Sequence, residues 1–135
     1  MTAAELKYLI AIDELYDGTS GIKLISIAAK MGVTKVSVYR AVERLEKSGY
    51  LKRDERNKVI FTEHGHKSLA HFMIMVKWIT EHLAERCGVS ADKAYNDAIG
   101  VVCALSDESR EGLFAFTDKL LKSSCRDNVT TVEDK

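Results

Sequence analysis

The residues best suited to chemistry are basic side chains grouped in the first half of the chain. Between residues 30 and 58 there are nine Lys and Arg against four Asp and Glu, a net charge of +5 in a protein whose formal net charge is zero. Such a cluster of cations is typical of a surface that binds an anionic partner, for example the phosphate backbone of DNA. A solvated lysine-rich face gives the same count, so charge alone does not decide between the two.

A second candidate lies in the stretch AIGVVCALS, residues 98–106, where Ile99, Val102 and Cys103 are spaced as i, i+3 and i+4. On a helix these positions are neighbours on one face, and metal and small-molecule sites use this spacing for their ligands. Here only the Cys103 thiol has donor chemistry. The stretch is therefore plain core, a seam between two subunits, or a binding site whose ligands have been replaced.

The elements that position the basic residues are predicted from apolar spacing and from glycines. A first helix opens with the capping-box pattern of Thr2 and Glu5, and a second, short helix ends at Gly32. After the turn GVT, the stretch TKVSVYRAVERLEKSGY is predicted to be a helix, followed by a hairpin of YLKRD and KVIFT. This order predicts a mostly α protein with a winged helix-turn-helix DNA-binding domain at residues 1–65.

In a winged helix-turn-helix, the helix after the turn enters the major groove, and the hairpin lies beside the DNA backbone. The residues predicted to lie in the groove are Thr34, Lys35, Ser37, Tyr39 and Arg40. The residues predicted to contact phosphates are Arg44, Arg53, Arg56 and Lys58. A winged helix can also serve as a protein-interaction module, and that alternative stays open.

The second half is predicted to be an all-helical dimerisation domain at residues 66–122, with helices at 66–87, 91–105 and 108–121. Apolar residues wrap most of the circumference of the first of these helices. A helix of this kind must be buried on more than one side, which suggests a partner chain. Residues 123–135 are polar and are expected to form a flexible tail.

Several classes of protein are not expected from this sequence. The start MTAAELKY lacks the basic end and apolar core of a signal peptide, and no apolar run reaches the roughly 18–20 residues of a membrane helix. Three cysteines without CxxC spacing fit a reducing compartment. We therefore expect a cytoplasmic protein with no membrane partner, and the absence of GxSxG, P-loop and HExxH motifs argues against an enzyme.

The stretch GVSADKAYNDAIGVVCALSDES closely resembles the linker and fifth helix of metal-dependent repressors of the diphtheria-toxin-repressor type, especially their short manganese-responsive, MntR-like branch. The stretches ISIAAKMGVTKVSVYRAVERLEKSGYL and FTEHGHK are also similar to that family. The resemblance runs from about residue 4 to about residue 121 and does not include the SH3-like domain of longer members. It implies a homodimer that binds palindromic operator DNA and responds to Mn²⁺ or Fe²⁺.

The family's metal ligands do not carry over to this chain. The fifth-helix trio of Glu, Glu and His falls on Ile99, Val102 and Cys103, and the long-helix His falls on Lys77. The first-helix Asp and Glu fall, within a residue, on Lys7 and Ile10. Manganese prefers hard oxygen ligands with some imidazole. The interpretation is a regulator whose metal site has been replaced by packing, with no cofactor beyond the Mn²⁺ or Fe²⁺ that the resemblance implies.

Other means of regulation stay open as alternatives. Cys103 and Cys125 are candidate redox-sensitive or effector-binding thiols, although most such cysteines are small core residues. A relocated metal site is conceivable at His71, His82, Cys87 or Asp97, and a small-molecule pocket at Phe72, Met73, Met75 or Trp78. The operator, the effector and the direction of regulation are not encoded in a recognisable pattern.

Overall fold

In a computed structural model, residues 1–18 and 20–133 are described, with side chains up to Ser124. The helices are α1 (Ala3–Leu15), α2 (Leu24–Met31), α3 (Lys35–Lys47), α4 (Glu63–Arg86), α5 (Ala91–Ala104) and α6 (Asp107–Glu133), and the strands β1 (Leu51–Arg53) and β2 (Val59–Phe61) lie between α3 and α4. The protein is therefore mostly helical, as predicted. None of the described helices is long and apolar enough to cross a membrane.

The chain divides into two compact units, Met1–Ala70 and His71–Lys135. The division falls inside α4 rather than at residue 65, where the sequence suggested a domain boundary. It falls there because the first turns of α4 pack against the hairpin of the first unit, whereas the helix itself is continuous.

The first helix begins as its capping box predicts. Thr2 Oγ1 accepts a hydrogen bond from Glu5 N at 3.1 Å, and Glu5 Oε2 accepts one from Thr2 N at 3.3 Å. Each side chain satisfies a backbone N–H that the first helical turn leaves without a partner. The helix then contributes Leu6, Leu9 and Ile12 to the core of the first unit, all nearly fully buried.

A tight turn joins α2 to α3. Gly32 ends α2 in the left-handed region with φ 67°, and Val33 N donates to Ala28 O at 3.1 Å. This conformation favours glycine, since a side chain would strain it. Thr34 then caps α3, whose inner face is buried in the same core through Val38, Ala41, Val42 and Leu45.

The hairpin of β1 and β2 is extended by a third segment that the sequence did not indicate. The strands pair in the antiparallel register Leu51↔Phe61, Lys52↔Ile60 and Arg53↔Val59. On the other edge of β2, Ile22 and Val59 exchange two backbone hydrogen bonds of 2.8 Å. The loop between α1 and α2 therefore anchors the hairpin, called the wing below, to the core.

The start of α4 is fixed to the wing through the FTEHGHK stretch. Thr62 Oγ1 donates to Gly49 O at 2.6 Å and accepts from Gly65 N at 2.9 Å. Gly65 lies so close to Tyr50 that a Cβ there would overlap the Tyr50 carbonyl. Glycine at this position therefore lets α4 begin directly against the end of α3.

The second unit contains the rest of α4 with α5 and α6. Its buried side chains include Met75, Val76, Ala98, Ile99 and Val102. Ser106 caps α6, as expected, by accepting from Ser109 N at 3.2 Å. The helix continues to Glu133 instead of ending near Leu121, and the flexibility expected of residues 123–135 stays a prediction.

Candidate nucleic-acid interface

The outward face of α3 is formed by side chains that its inward periodicity leaves exposed. Lys35, Tyr39, Arg40 and Arg44 are exposed, whereas Val38 one position away is fully buried. The helix therefore presents two chemically distinct faces, apolar against the core and basic toward solvent. Such a helix can project a row of donors into a groove while it stays fixed to its own domain.

Thr34 and Ser37 have a local structural role in addition to their exposed position. Thr34 Oγ1 accepts from Ser37 N at 3.1 Å and lies 2.9 Å from Ser37 Oγ. The two hydroxyls therefore cap the first turn of α3 together. They remain at the surface, but any contact to DNA would use the lone pairs and protons that this mutual pairing leaves.

Arg53 is used inside the protein, although the sequence suggested a phosphate contact. Its Nε donates to Glu46 Oε1 at 2.7 Å, and its Nη1 donates to Asn57 Oδ1 at 3.2 Å. The guanidinium also lies over the Tyr39 ring, 4.7 Å from the centroid. With its side chain only 17% exposed, Arg53 fixes the wing to α3 through two of its five N–H donors.

The tip of the wing has a defined conformation. Asp54 Oδ1 accepts from Arg56 N at 2.8 Å and from Lys58 N at 2.9 Å. Asn57 adopts φ 64°, which asparagine tolerates better than most residues. The turn therefore holds the backbone of Arg56 and Lys58 in place while their cationic ends reach the surface.

The structure brings Lys35, Arg56 and Lys58 together at one groove of about 290 Å³. The groove lies between the start of α2, the start of α3 and the wing. Its other lining residues are Lys23, Leu24, Ile25 and Asn57. None of the four cations forms an ion pair within residues 1–18 and 20–124. Arg40 and Arg44 lie farther along α3 and do not line it.

Lys23 was missed by sequence analysis. It directly precedes α2, and it follows Ile22, whose pairing with the wing is not evident from the sequence. Lys23 is the N-cap residue of α2 and adds a fourth cation to the groove. The lack of an apolar or charge pattern around it explains why it was overlooked.

The positions that match the family's metal ligands carry aliphatic, thiol and lysine side chains. In the second unit Ile99 is 2% exposed and Val102 fully buried, Cys103 is half-buried, and Lys77 is exposed. In the first unit Lys7 is exposed and Ile10 half-buried. These residues supply no carboxylate and no imidazole, so the donors that Mn²⁺ or Fe²⁺ prefers are not present among them.

The alternative effector residues are dispersed among different contacts. Within the described part of the chain no three His, Cys, Asp or Glu side chains lie close enough to hold a metal ion. His71 stacks on Phe114 at 4.1 Å, and His82 Nδ1 lies 2.8 Å from Trp78 O. The Cys125 side chain lies outside the described residues.

The apolar residues suggested for a small-molecule pocket divide into two groups. Phe72 and Met75 are buried in the core of the second unit. Trp78 instead lines a pocket of about 260 Å³ between α4 and α6. Its other lining residues are Ile74, Lys77, Glu81, Thr117, Leu120 and Leu121.

No protein-family model matches the sequence, and no curated protein sequence matches it significantly. Solved structures do match the fold. A hypothetical protein from Sulfolobus solfataricus is 24% identical with a TM-score of 0.69, and the match covers 88% of this chain and 91% of that one. The manganese regulator SloR is 24% identical with a TM-score of 0.68, and the match covers 84% of this chain and 53% of SloR.

The metal-dependent transcriptional regulator MtsR matches at 20% identity with a TM-score of 0.68, over 87% of this chain and 55% of MtsR. The chain therefore spans about half the length of these two regulators. At such identities the likeness shows the fold. The fold is that of metal-dependent transcriptional regulators, in line with the resemblance noted from the sequence.

Proposed function

We propose that this protein is a homodimeric transcriptional regulator that binds double-stranded operator DNA through α3 and the wing. The observation that carries the proposal is the groove where Lys23, Lys35, Arg56 and Lys58 lie without ion-pair partners in the described part of the chain. These cations come from three elements: the start of α2, α3 and the wing. A polyanion that runs across all three elements can contact each of them. A non-enzymatic role in the cytoplasm accompanies this function.

In this proposal the side chains have distinct roles. Thr34, Lys35, Ser37, Tyr39 and Arg40 face the major groove, and Arg44, Arg56 and Lys58 contact phosphates. Arg53 holds the wing in register with α3 through Glu46 and Tyr39. Phosphate contacts position the protein on the duplex, and only the residues that enter the DNA major groove distinguish one base pair from another.

Dimerisation is proposed to use the second unit. Among the side chains described there, up to Ser124, the exposed large apolar ones are Tyr95, Val101, Phe116, Leu120 and Leu121. Phe116 and Leu120 are one helical turn apart on α6 and so share a face. Exposed apolar residues on a shared face favour contact with a second copy, and a two-fold dimer favours a palindromic operator.

Metal independence is the third part of the proposal. Ile99 and Val102 are buried in the second unit where the resemblance would place carboxylates. Packing of these side chains supplies the free energy that coordination would otherwise supply to order the helices. The DNA-binding form is therefore proposed to persist without Mn²⁺ or Fe²⁺.

The test is a fluorescence-anisotropy titration of the purified protein with the duplex upstream of its own gene. It is run after chelator treatment and again with added Mn²⁺, Fe²⁺ or Zn²⁺. We expect the same affinity in every condition. A rise of about tenfold with one metal, corresponding to ~1.4 kcal/mol of coupling, would show that a metal site operates.

Two variants test whether the cations of the protein groove contribute to DNA affinity. Arg56→Ala and Lys58→Ala should each reduce the slope of log affinity against log salt by about 1, because each removes one phosphate contact. Lys93→Ala, an exposed lysine on α5, removes the same charge in the second unit and should leave the slope unchanged. Salt-independent or absent DNA binding would instead favour the protein-interaction module.

A further inference from the structure

The wing has a second hollow, which shares Arg56 and Lys58 with the groove described above. Its volume is about 500 Å³. From the hairpin it is lined by the Lys52↔Ile60 pair and by Phe61, the register partner of Leu51. The lining residues are Tyr16, Ser20, Gly21, Lys52, Asp54, Arg56, Lys58, Ile60, Phe61 and His66. All of them belong to the first unit.

The charge of this hollow favours an anion. Lys52, Arg56 and Lys58 all line it, and none of them forms an ion pair within residues 1–18 and 20–124. Asp54 is its single carboxylate, and Asp54 Oδ1 already accepts two backbone N–H groups of the turn. Three cations therefore face one carboxylate, which leaves an excess of positive charge.

The remaining wall of the hollow is aromatic. The Phe61 ring stacks on the His66 ring at 4.7 Å with an angle of 27°, and the Tyr16 ring lies 6.2 Å from His66 at 58°. Tyr16 is 39% exposed, so its ring is accessible to a ligand. A duplex backbone presents phosphates and sugars but keeps its bases stacked inside, and it would leave this wall unused.

We propose that this hollow binds a small molecule that combines a planar ring with a phosphate or carboxylate group. The volume is in the range of small-ligand pockets, roughly 300–1,000 Å³. The three cations hold the anionic group, and the ring lies against Tyr16 and Phe61.

Arg56 and Lys58 line both this hollow and the groove proposed for DNA. A bound anion therefore competes with DNA phosphates for the same two cations, and the ligand weakens DNA binding. This regulatory consequence rests on the proposed function, whereas ligand binding itself does not. By linkage, DNA weakens ligand binding by the same factor.

Calorimetric titration of the full-length protein tests the binding step with phenyl phosphate, benzoate and adenosine monophosphate. Inorganic phosphate is the probe without a ring, and benzyl alcohol is the probe without an anion. We expect at least one of the first three to bind about tenfold more tightly than either single-feature probe, a difference of ~1.4 kcal/mol. Equal affinity for inorganic phosphate, or no binding by any of the three, would overturn the proposal.

Two variants locate the site. Lys52→Gln removes a cation, and Tyr16→Ala removes a ring. Each should weaken binding of the best probe by about tenfold, whereas Lys67→Gln on α4, which removes an exposed lysine outside the hollow, should not. Unchanged binding in both variants would place the ligand elsewhere.

DNA titration without ligand separates the two proposals. Lys52→Gln and Lys67→Gln should bind DNA alike, since neither residue belongs to the proposed DNA contacts. Loss of ligand binding with retained DNA binding supports a separate effector site. Absence of DNA binding in the unmodified protein, with tight ligand binding, would reject the proposed function alone.

Discussion

The outward face of α3 and the inward face of α5 follow the same helical spacing with opposite chemistry. On α3, Lys35 and Arg40 are exposed beside the buried Val38. On α5, Ile99 and Val102 are buried where the resemblance would place metal-binding carboxylates. In our proposal α3 presents polar side chains for DNA recognition, whereas α5 has aliphatic side chains where the resemblance would place metal ligands.

A packed apolar face and a metal-binding face also differ in what stabilises them. Burial of a side chain such as Val102 stabilises a fold by about 1.5–3 kcal/mol whether or not a metal ion is present. A coordinated ion contributes only in proportion to its free concentration and its affinity. In our proposal the DNA-binding face therefore no longer depends on metal supply, and any regulation must come from another ligand or from abundance.

The largest expected effect comes from a carboxylate restored to α5. Val102→Glu should destabilise the protein by about 3–5 kcal/mol, because a fully buried side chain becomes a charge without a partner. Asn96→Glu, at an exposed position of the same helix, adds the same charge and should change stability by less than about 0.5 kcal/mol.

Urea unfolding followed by circular dichroism measures both variants. If Val102→Glu were as stable as Asn96→Glu, the carboxylate would have found a partner or a cation, and α5 would not be a packed helix. Stability recovered by added Mn²⁺ would show that the site can still be occupied.

A smaller effect is expected at Arg110, which joins α5 to its neighbours. Its Nη2 donates to Leu105 O at 2.7 Å and its Nε to Val102 O at 3.3 Å, and the guanidinium lies over the Phe72 ring. Arg110→Ala should therefore cost about 2 kcal/mol, and Arg110→Lys should recover only part of it, since lysine lacks the planar fork.

Thermal unfolding in parallel with Arg86→Ala, an exposed arginine at the end of α4, provides the comparison. Equal unfolding temperatures for the two alanine variants would mean that Arg110 does not stabilise the end of α5.

The elements were predictable where a local pattern determines them. The capping box of Thr2 and Glu5 and the left-handed Gly32 were both evident from neighbouring residues, and the structure has both. The Ile22–Val59 bridge was not evident, because it joins residues far apart in the sequence through backbone atoms alone.

The residues of the candidate site were likewise predictable only where a local pattern determines them. The exposed basic row on α3 came from helical periodicity. The engagement of Arg53 with Glu46 and Tyr39 depends on how the wing packs against α3, which periodicity does not encode. The extension of α6 was missed because residues 123–133 lack the apolar spacing that marks a buried helix, so their helical state leaves no pattern in the sequence.

The cap at the start of α3 is expected to contribute to stability. Thr34→Ala should cost about 1 kcal/mol of stability, because the first turn of α3 loses the acceptor for Ser37 N. Thr34→Ser keeps that acceptor and should lose only about a few tenths of a kcal/mol of stability. If both variants unfolded at the same urea concentration, the cap would not contribute, and Thr34 would be retained for DNA contact alone.

The smallest expected effect concerns base recognition by apolar residues of the basic face. Val36 is 61% exposed on α3 and Ile25 is 64% exposed at the neighbouring groove. The apolar group that duplex DNA presents in the major groove is the thymine methyl. We therefore expect Val36 to contact such a methyl in the operator.

Replacement of single thymines by deoxyuridine removes that methyl and nothing else. At one position per half-site, affinity should fall about fourfold, corresponding to ~0.8 kcal/mol for one buried methyl group. The loss should shrink in Val36→Ala, since the contact has already been removed. If no thymine responds, or if Val36→Ala responds as the unmodified protein does, Val36 lies outside the groove, and an exposed apolar residue on α3 would instead favour a protein partner for this face.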